Sequence, residues 1–71
     1  MTVEQILALP IIKDDTHIFI RTEAFELRAC LTRLHPQILR WYPYDAMAFS
    51  WDDDNQVYIT IYWYKNSTYD S

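Results

Sequence analysis

The chain has 71 residues, ten acidic against six basic side chains, and a formal net charge of −4. That length holds a single domain, and the acidity opposes both nucleic-acid binding, which neutralises phosphates with Lys and Arg, and attraction to anionic membranes. The chain has no glycine, which excludes phosphate-cradling loops and dinucleotide fingerprints, where the backbone must approach the ligand closely.

Taken in chain order, Thr2 and Gln5 form a capping box for a short helix. Val3, Ile6 and Leu7 share one face of it, and Pro10 closes it by disfavouring α geometry at Leu9. Lys13-Asp14-Asp15 reads as a turn. Thr16 to Arg21 is β-branched and aromatic and predicts a strand, with Ile18 and Ile20 on one side and His17, Phe19 and Arg21 on the other. From Thr22 the pattern predicts the main helix. Thr22 is a capping residue, Glu23 and Glu26 suit the positive end of a helix dipole, and Ala24, Leu27, Cys30, Leu31 and Leu34 recur at helical spacing as a buried stripe. Pro36 either stops this helix near Leu34 or begins a second short one through Ile38, Leu39 and Trp41, which Pro43 closes.

Ala46 to Trp51 and Val57 to Tyr64 predict a β-hairpin around the turn Asp52-Asp53-Asp54-Asn55-Gln56. If Trp51 opposes Val57, then Phe49 opposes Ile59 and Met47 opposes Ile61. Met47, Phe49, Trp51, Val57, Ile59, Ile61 and Trp63 then share an inner face. Ala46, Ala48, Ser50, Tyr58, Thr60, Tyr62 and Tyr64 share an outer one. Positive-φ turn positions fall to Asn55 and Asn66, because no glycine is available.

The expected fold is a small two-layer α+β domain over residues 1–71, in the order α-β-α-β-β. A three-stranded sheet with a C-terminal β-hairpin carries the main helix on one face, and 66–71 is a frayed polar tail. No stretch is long and apolar enough to cross a membrane. The start Met1-Thr2-Val3-Glu4 lacks the features of a secretory signal, so the chain reads as cytoplasmic and the sequon Asn66-Ser67-Thr68 as chance.

The candidate partner-binding residues are Trp41, Tyr44, Tyr58, Tyr62, Tyr64, Asp52, Asp53 and Asp54. Tyr58, Tyr62 and Tyr64 stand opposite small residues. They offer large apolar area with a hydrogen-bonding tip, as binding hot spots do. The alternatives are ordinary β-propensity and a face covered by the N-terminal helix. Trp41 and Tyr44 belong either to that surface or to a loop folded over one end of the core. Asp52-Asp53-Asp54 lacks the glycine and distal Glu of an EF-hand loop. It reads as a solvated turn beside apolar strands. The alternative is that, with Asp14, Asp15, Asp45 and Asp70, it mimics phosphates and faces a basic groove on a nucleic-acid enzyme.

Cys30 on the buried stripe, His35 at a helix end and His17 on a strand do not assemble a catalytic group. No enzyme activity, cofactor or metal is expected. The expected function is a non-enzymatic protein-binding module of inhibitor, antitoxin or immunity type, such as a phage or mobile-element protein blocking a host nucleic-acid-handling enzyme. Two alternatives remain: a homodimer paired through the strand from Val57 to Tyr64 if that strand lies at an edge, and a single-stranded nucleic-acid binder using the aromatic sheet face and arginines.

Overall fold

The computed structural model describes residues 1–63. A short helix α1 (Val3–Leu7) is followed by β1 (His17–Arg21), β2 (Leu27–Leu31), a 3-10 helix over Pro36–Trp41, β3 (Ala46–Trp51) and β4 (Gln56–Ile61). The strands form one four-stranded sheet in the order β2-β1-β4-β3. β1 pairs with β4 in parallel, and the outer pairs β1/β2 and β3/β4 are antiparallel. Tyr64 and Asn66 to Ser71 lie outside the described residues. Among the described residues no helix is long and apolar enough to cross a membrane.

α1 forms as its cap dictates. Thr2 N–H donates to Gln5 Oε1 at 2.8 Å, and Gln5 N–H donates to Thr2 Oγ1 at 3.3 Å. The next two N–H groups, which no helical carbonyl can satisfy, find partners elsewhere: Val3 N–H donates to Tyr44 O at 2.9 Å and Glu4 N–H to Tyr42 O at 3.4 Å. The 3-10 helix begins with Pro36, whose missing N–H costs nothing there. His35 caps its start through Nδ1, which accepts from Gln37 N–H at 3.1 Å. His35 therefore opens a helix instead of closing one, contrary to the expectation from sequence.

The three-stranded sheet carrying one main helix is not what forms. The segment expected to be that helix is a hairpin turn followed by β2. Thr22, expected to cap that helix, holds a turn instead: its buried hydroxyl accepts from Ala24 N–H at 3.2 Å and Glu26 N–H at 3.3 Å. Ala24, Leu27, Cys30 and Leu34 are exposed, so the expected buried stripe does not exist. The physical reason lies in an ambiguity of spacing and in β1. Leu27, Ala29 and Leu31 also obey a period of two, and Ile18 opposes Leu31 while Ile20 opposes Ala29. A helix here would have left one flank of the buried β1 without hydrogen-bond partners, which an interior strand does not tolerate.

The final hairpin keeps most of its expected register: Trp51 opposes Val57 and Phe49 opposes Ile59. The expected Met47/Ile61 pair does not form. A bulge between Ala46 and Ala48 places Ala46 opposite Ile61 and turns Met47 outward, 43% exposed. β4 lies between β1 and β3, so both its flanks are paired and it is not the edge strand on which pairing with a second copy was expected.

One core results. Ile18, Ile20, Val57, Ile59 and Ile61 of the central strands meet Val3, Ile6 and Leu7 of α1, Ile12, and Ile38 and Trp41 of the 3-10 helix. Both helical elements sit on this aliphatic face. Tyr58's face of the sheet is therefore not covered by the N-terminal helix.

Candidate functional site

The face of the sheet opposite α1 and the 3-10 helix is packed by its own side chains. Cys30, Phe19, Tyr58 and Ser50 form one row across the four strands. Phe19 and Tyr58 stack at 5.0 Å between ring centroids. The Arg21 guanidinium lies 4.9 Å from the Phe25 ring and 5.6 Å from the Tyr58 ring, and its Nε donates to Thr60 Oγ1 at 3.0 Å. Tyr58 OH donates to Gln56 Oε1 at 3.0 Å. The ring and hydroxyl of Tyr58 are thus already engaged, and Tyr58 is half-buried.

Trp41 and Tyr44 fold over one end of the core. Trp41 is only 6% exposed, which leaves its ring no area for a partner. Tyr44 and Trp63 stack at 5.7 Å, each is within 6.0 Å of Trp41, and Arg28 reaches over Trp63 at 4.6 Å. Tyr62 is half-buried just past β4, where its N–H donates to Asp45 O at 3.0 Å. Tyr58, the Trp41–Tyr44 pair and the acidic turn therefore occupy three separate places and do not form one surface.

The acidic turn gains different neighbours. Asp52 Oδ1 accepts from Asp54 N–H at 2.9 Å, Asp52 N–H donates to Gln56 O at 3.1 Å, and Asn55 takes the left-handed conformation expected of it, with φ 60°. In the turn before β1, Thr16 N–H donates to Lys13 O at 3.2 Å and Lys13 N–H to Thr16 Oγ1 at 2.9 Å. Asn55 locks the two turns together. Its Oδ1 accepts from Thr16 Oγ1 at 2.7 Å, its Nδ2 donates to Asp15 Oδ1 at 3.1 Å, and its carbonyl accepts from His17 N–H at 3.0 Å.

A cleft of about 350 Å³ lies between these turns, lined by Ile11, Trp51, Lys13, Asp15, Asp52 and Asp53 among others. Trp51 is 59% and Ile11 43% exposed. Arg33 pairs with Asp14 at 3.7 Å and donates to Ile12 O at 3.0 Å. Among the described residues, no basic side chain stands within ion-pairing distance of Asp15, Asp52 or Asp53. The fold thus brings Asp14 and Asp15 to Asp52, Asp53 and Asp54. Asp45 precedes the opposite end of β3, and Asp70 lies outside the described residues. Among the described residues no three His, Cys, Asp or Glu side chains are grouped to hold a metal ion.

No protein-family model matches the chain, and no curated protein or solved structure is significantly similar to it.

Trp51 and Ile11 were missed by sequence reasoning. Alternation assigns Trp51 to the inner face correctly. It does not reveal that Trp51 ends an edge strand, beyond the reach of the two short helical elements. The available signal was its position directly before three aspartates, where an inward ring has no following strand to shelter it.

Proposed function

We propose that this chain is a non-enzymatic protein-binding module of inhibitor, antitoxin or immunity type, and that it docks its acidic pole on a basic surface of a partner protein. The observation that carries this reading is the Trp51 cleft. A largely exposed indole stands at its wall and the carboxylates of Asp15, Asp52 and Asp53 at its rim. Tryptophan is enriched among residues that dominate binding energy, and surrounding polar groups supply register and specificity. Like charges on a partner are rejected and basic ones are steered in. A groove that normally takes nucleic-acid phosphates has the complementary charge, which makes a nucleic-acid-handling enzyme a fitting target. The same carboxylates repel phosphate, which argues against nucleic acid as the ligand.

The test is affinity capture from the host with the full chain, repeated with Trp51→Ala and with the double variant Asp52→Asn, Asp53→Asn. Circular dichroism checks that each variant folds. The expected result is a partner with a basic surface that is lost with either variant. Unchanged capture by both folded variants overturns the reading.

A further inference from the structure

The chain has three tryptophans, and two of them carry an arginine over the ring. The Arg28 guanidinium stands 4.6 Å from the Trp63 ring, and that of Arg40 stands 5.7 Å from the Trp41 ring. Trp51 stacks with Phe49 at 5.8 Å between centroids, and among the described residues no cation lies over it. The other two arginines are also committed. Arg21 is engaged by the Phe25 and Tyr58 rings, and Arg33 by Asp14 at 3.7 Å and Ile12 O at 3.0 Å. Trp51 is nonetheless 59% exposed, against 6% for Trp41, and its ring lines the cleft of about 350 Å³.

The carboxylates of that cleft are held in place without being neutralised. Asp15 Oδ1 accepts from Asn55 Nδ2 at 3.1 Å, and Asp52 Oδ1 accepts from Asp54 N–H at 2.9 Å. The second oxygen of each has no partner among the described residues, and neither has the side chain of Asp53.

We infer, on the docking reading above, that this cleft binds the side chain of a single arginine of the partner protein. The guanidinium plane lies on the open side of the Trp51 indole, and its N–H edge meets the carboxylates of Asp15, Asp52 and Asp53. Three properties of the site select this occupant. A guanidinium is planar and weakly hydrated, so it stacks on a ring while its donors point outward in the plane; a lysine ammonium has no face to stack and holds its water more tightly. Tryptophan is the ring that attracts a cation best, and carboxylates take a guanidinium through two parallel hydrogen bonds. Ile11, 43% exposed on the same cleft, offers apolar surface to the methylenes of the arginine stem. Lys13 also lines the cleft, so three carboxylates face one ammonium. The balance stays negative for one incoming cation, while Lys13 repels a second.

The experiment is a heteronuclear NMR titration of the full, nitrogen-labelled chain with N-acetyl-arginine amide. The lysine amide and the uncharged citrulline amide are titrated alongside, all at one ionic strength of about 0.1 M, where charges beyond about 10 Å are screened. The Trp51 indole N–H signal is assigned by its loss in Trp51→Phe. It is expected to shift with the arginine amide while those of Trp41 and Trp63 stay in place. The lysine amide binds about tenfold more weakly, and the citrulline amide leaves the signal unmoved. The double variant Asp52→Asn, Asp53→Asn weakens arginine binding by about tenfold or more, with circular dichroism verifying its fold. A Trp51 signal that does not move overturns the inference. So does one that responds equally to lysine, or one that responds unchanged in the folded double variant. Capture of a partner that is lost in Trp51→Ala, with no response of Trp51 to the arginine amide, overturns this inference and leaves the docking reading standing. A Trp51 response with capture unchanged does the reverse.

Discussion

Thr16 and Asn55 stand 39 residues apart in the chain and share a hydrogen bond of 2.7 Å. That bond, together with Asn55's bonds to Asp15 and His17, decides where the acidic hairpin turn sits relative to the turn before β1. The shape of the Trp51 cleft depends on it.

Replacing Asn55 therefore tests both the turn and the cleft. Asn55→Ala loses two side-chain hydrogen bonds and forces a Cβ residue without local compensation into φ 60°. About 1 kcal/mol per lost bond and about 1 kcal/mol for the left-handed conformation put the cost near 2–3 kcal/mol. Asn55→Gly keeps the backbone geometry and should recover about 1 kcal/mol of that loss. Urea denaturation of the two variants separates the terms.

Phe25 is the other residue at positive φ, 63°, and a bulky side chain is strained there. Its compensation is the Arg21 guanidinium 4.9 Å from its ring, a contact worth about 0.5–1 kcal/mol at an exposed site. Phe25→Asn relieves about 1–2 kcal/mol of backbone strain and gives up that contact, so a net gain of about 0.5–1 kcal/mol is expected. A fall in the denaturation midpoint would show that the ring contributes more than the strain removes.

Ile59 is fully buried in the strand between β1 and β3. Ile59→Val should cost about 0.5–1.5 kcal/mol and leave a folded protein, whereas Ile59→Ala should cost about 2–5 kcal/mol. A domain of this size rarely holds more than about 3–5 kcal/mol. Thermal unfolding should thus show a lowered but cooperative transition for valine and a largely unfolded population for alanine.

Docking through the acidic pole implies that salt slows association. The Debye length falls from about 30 Å at 0.01 M to about 10 Å at 0.1 M ionic strength. The association rate with the captured partner should fall across that range while dissociation changes little. Stopped-flow or surface-based kinetics reads both. An association rate indifferent to salt would place the contact away from Asp15, Asp52 and Asp53.

Local chemistry in the sequence was enough to specify several elements. The Thr2–Gln5 capping box needs only four consecutive residues. The left-handed Asn55 comes from a tight turn in a chain without glycine, and the Trp51/Val57 register from two alternating strands joined by that turn. The acidic turn was legible in the same way, as three aspartates between apolar strands. Trp41 was legible only as one of two alternatives, since an aromatic loop can cover a core or present itself outward. Its neighbours Tyr44 and Trp63, brought together by the fold, decide between them.

The stretch from Thr22 to Leu34 marks the boundary. Its apolar residues satisfy a helical period and, at Leu27, Ala29 and Leu31, a period of two, so the sequence by itself determined an amphipathic segment and nothing more. The tertiary structure chose the strand, because β1 is buried between neighbours and its backbone needs hydrogen-bond partners along both flanks. The same long-range pairing placed β4 in the interior and left Trp51 at an edge. Side-chain pattern encodes which face a residue takes, but the order of strands in a sheet depends on contacts between distant parts of the chain.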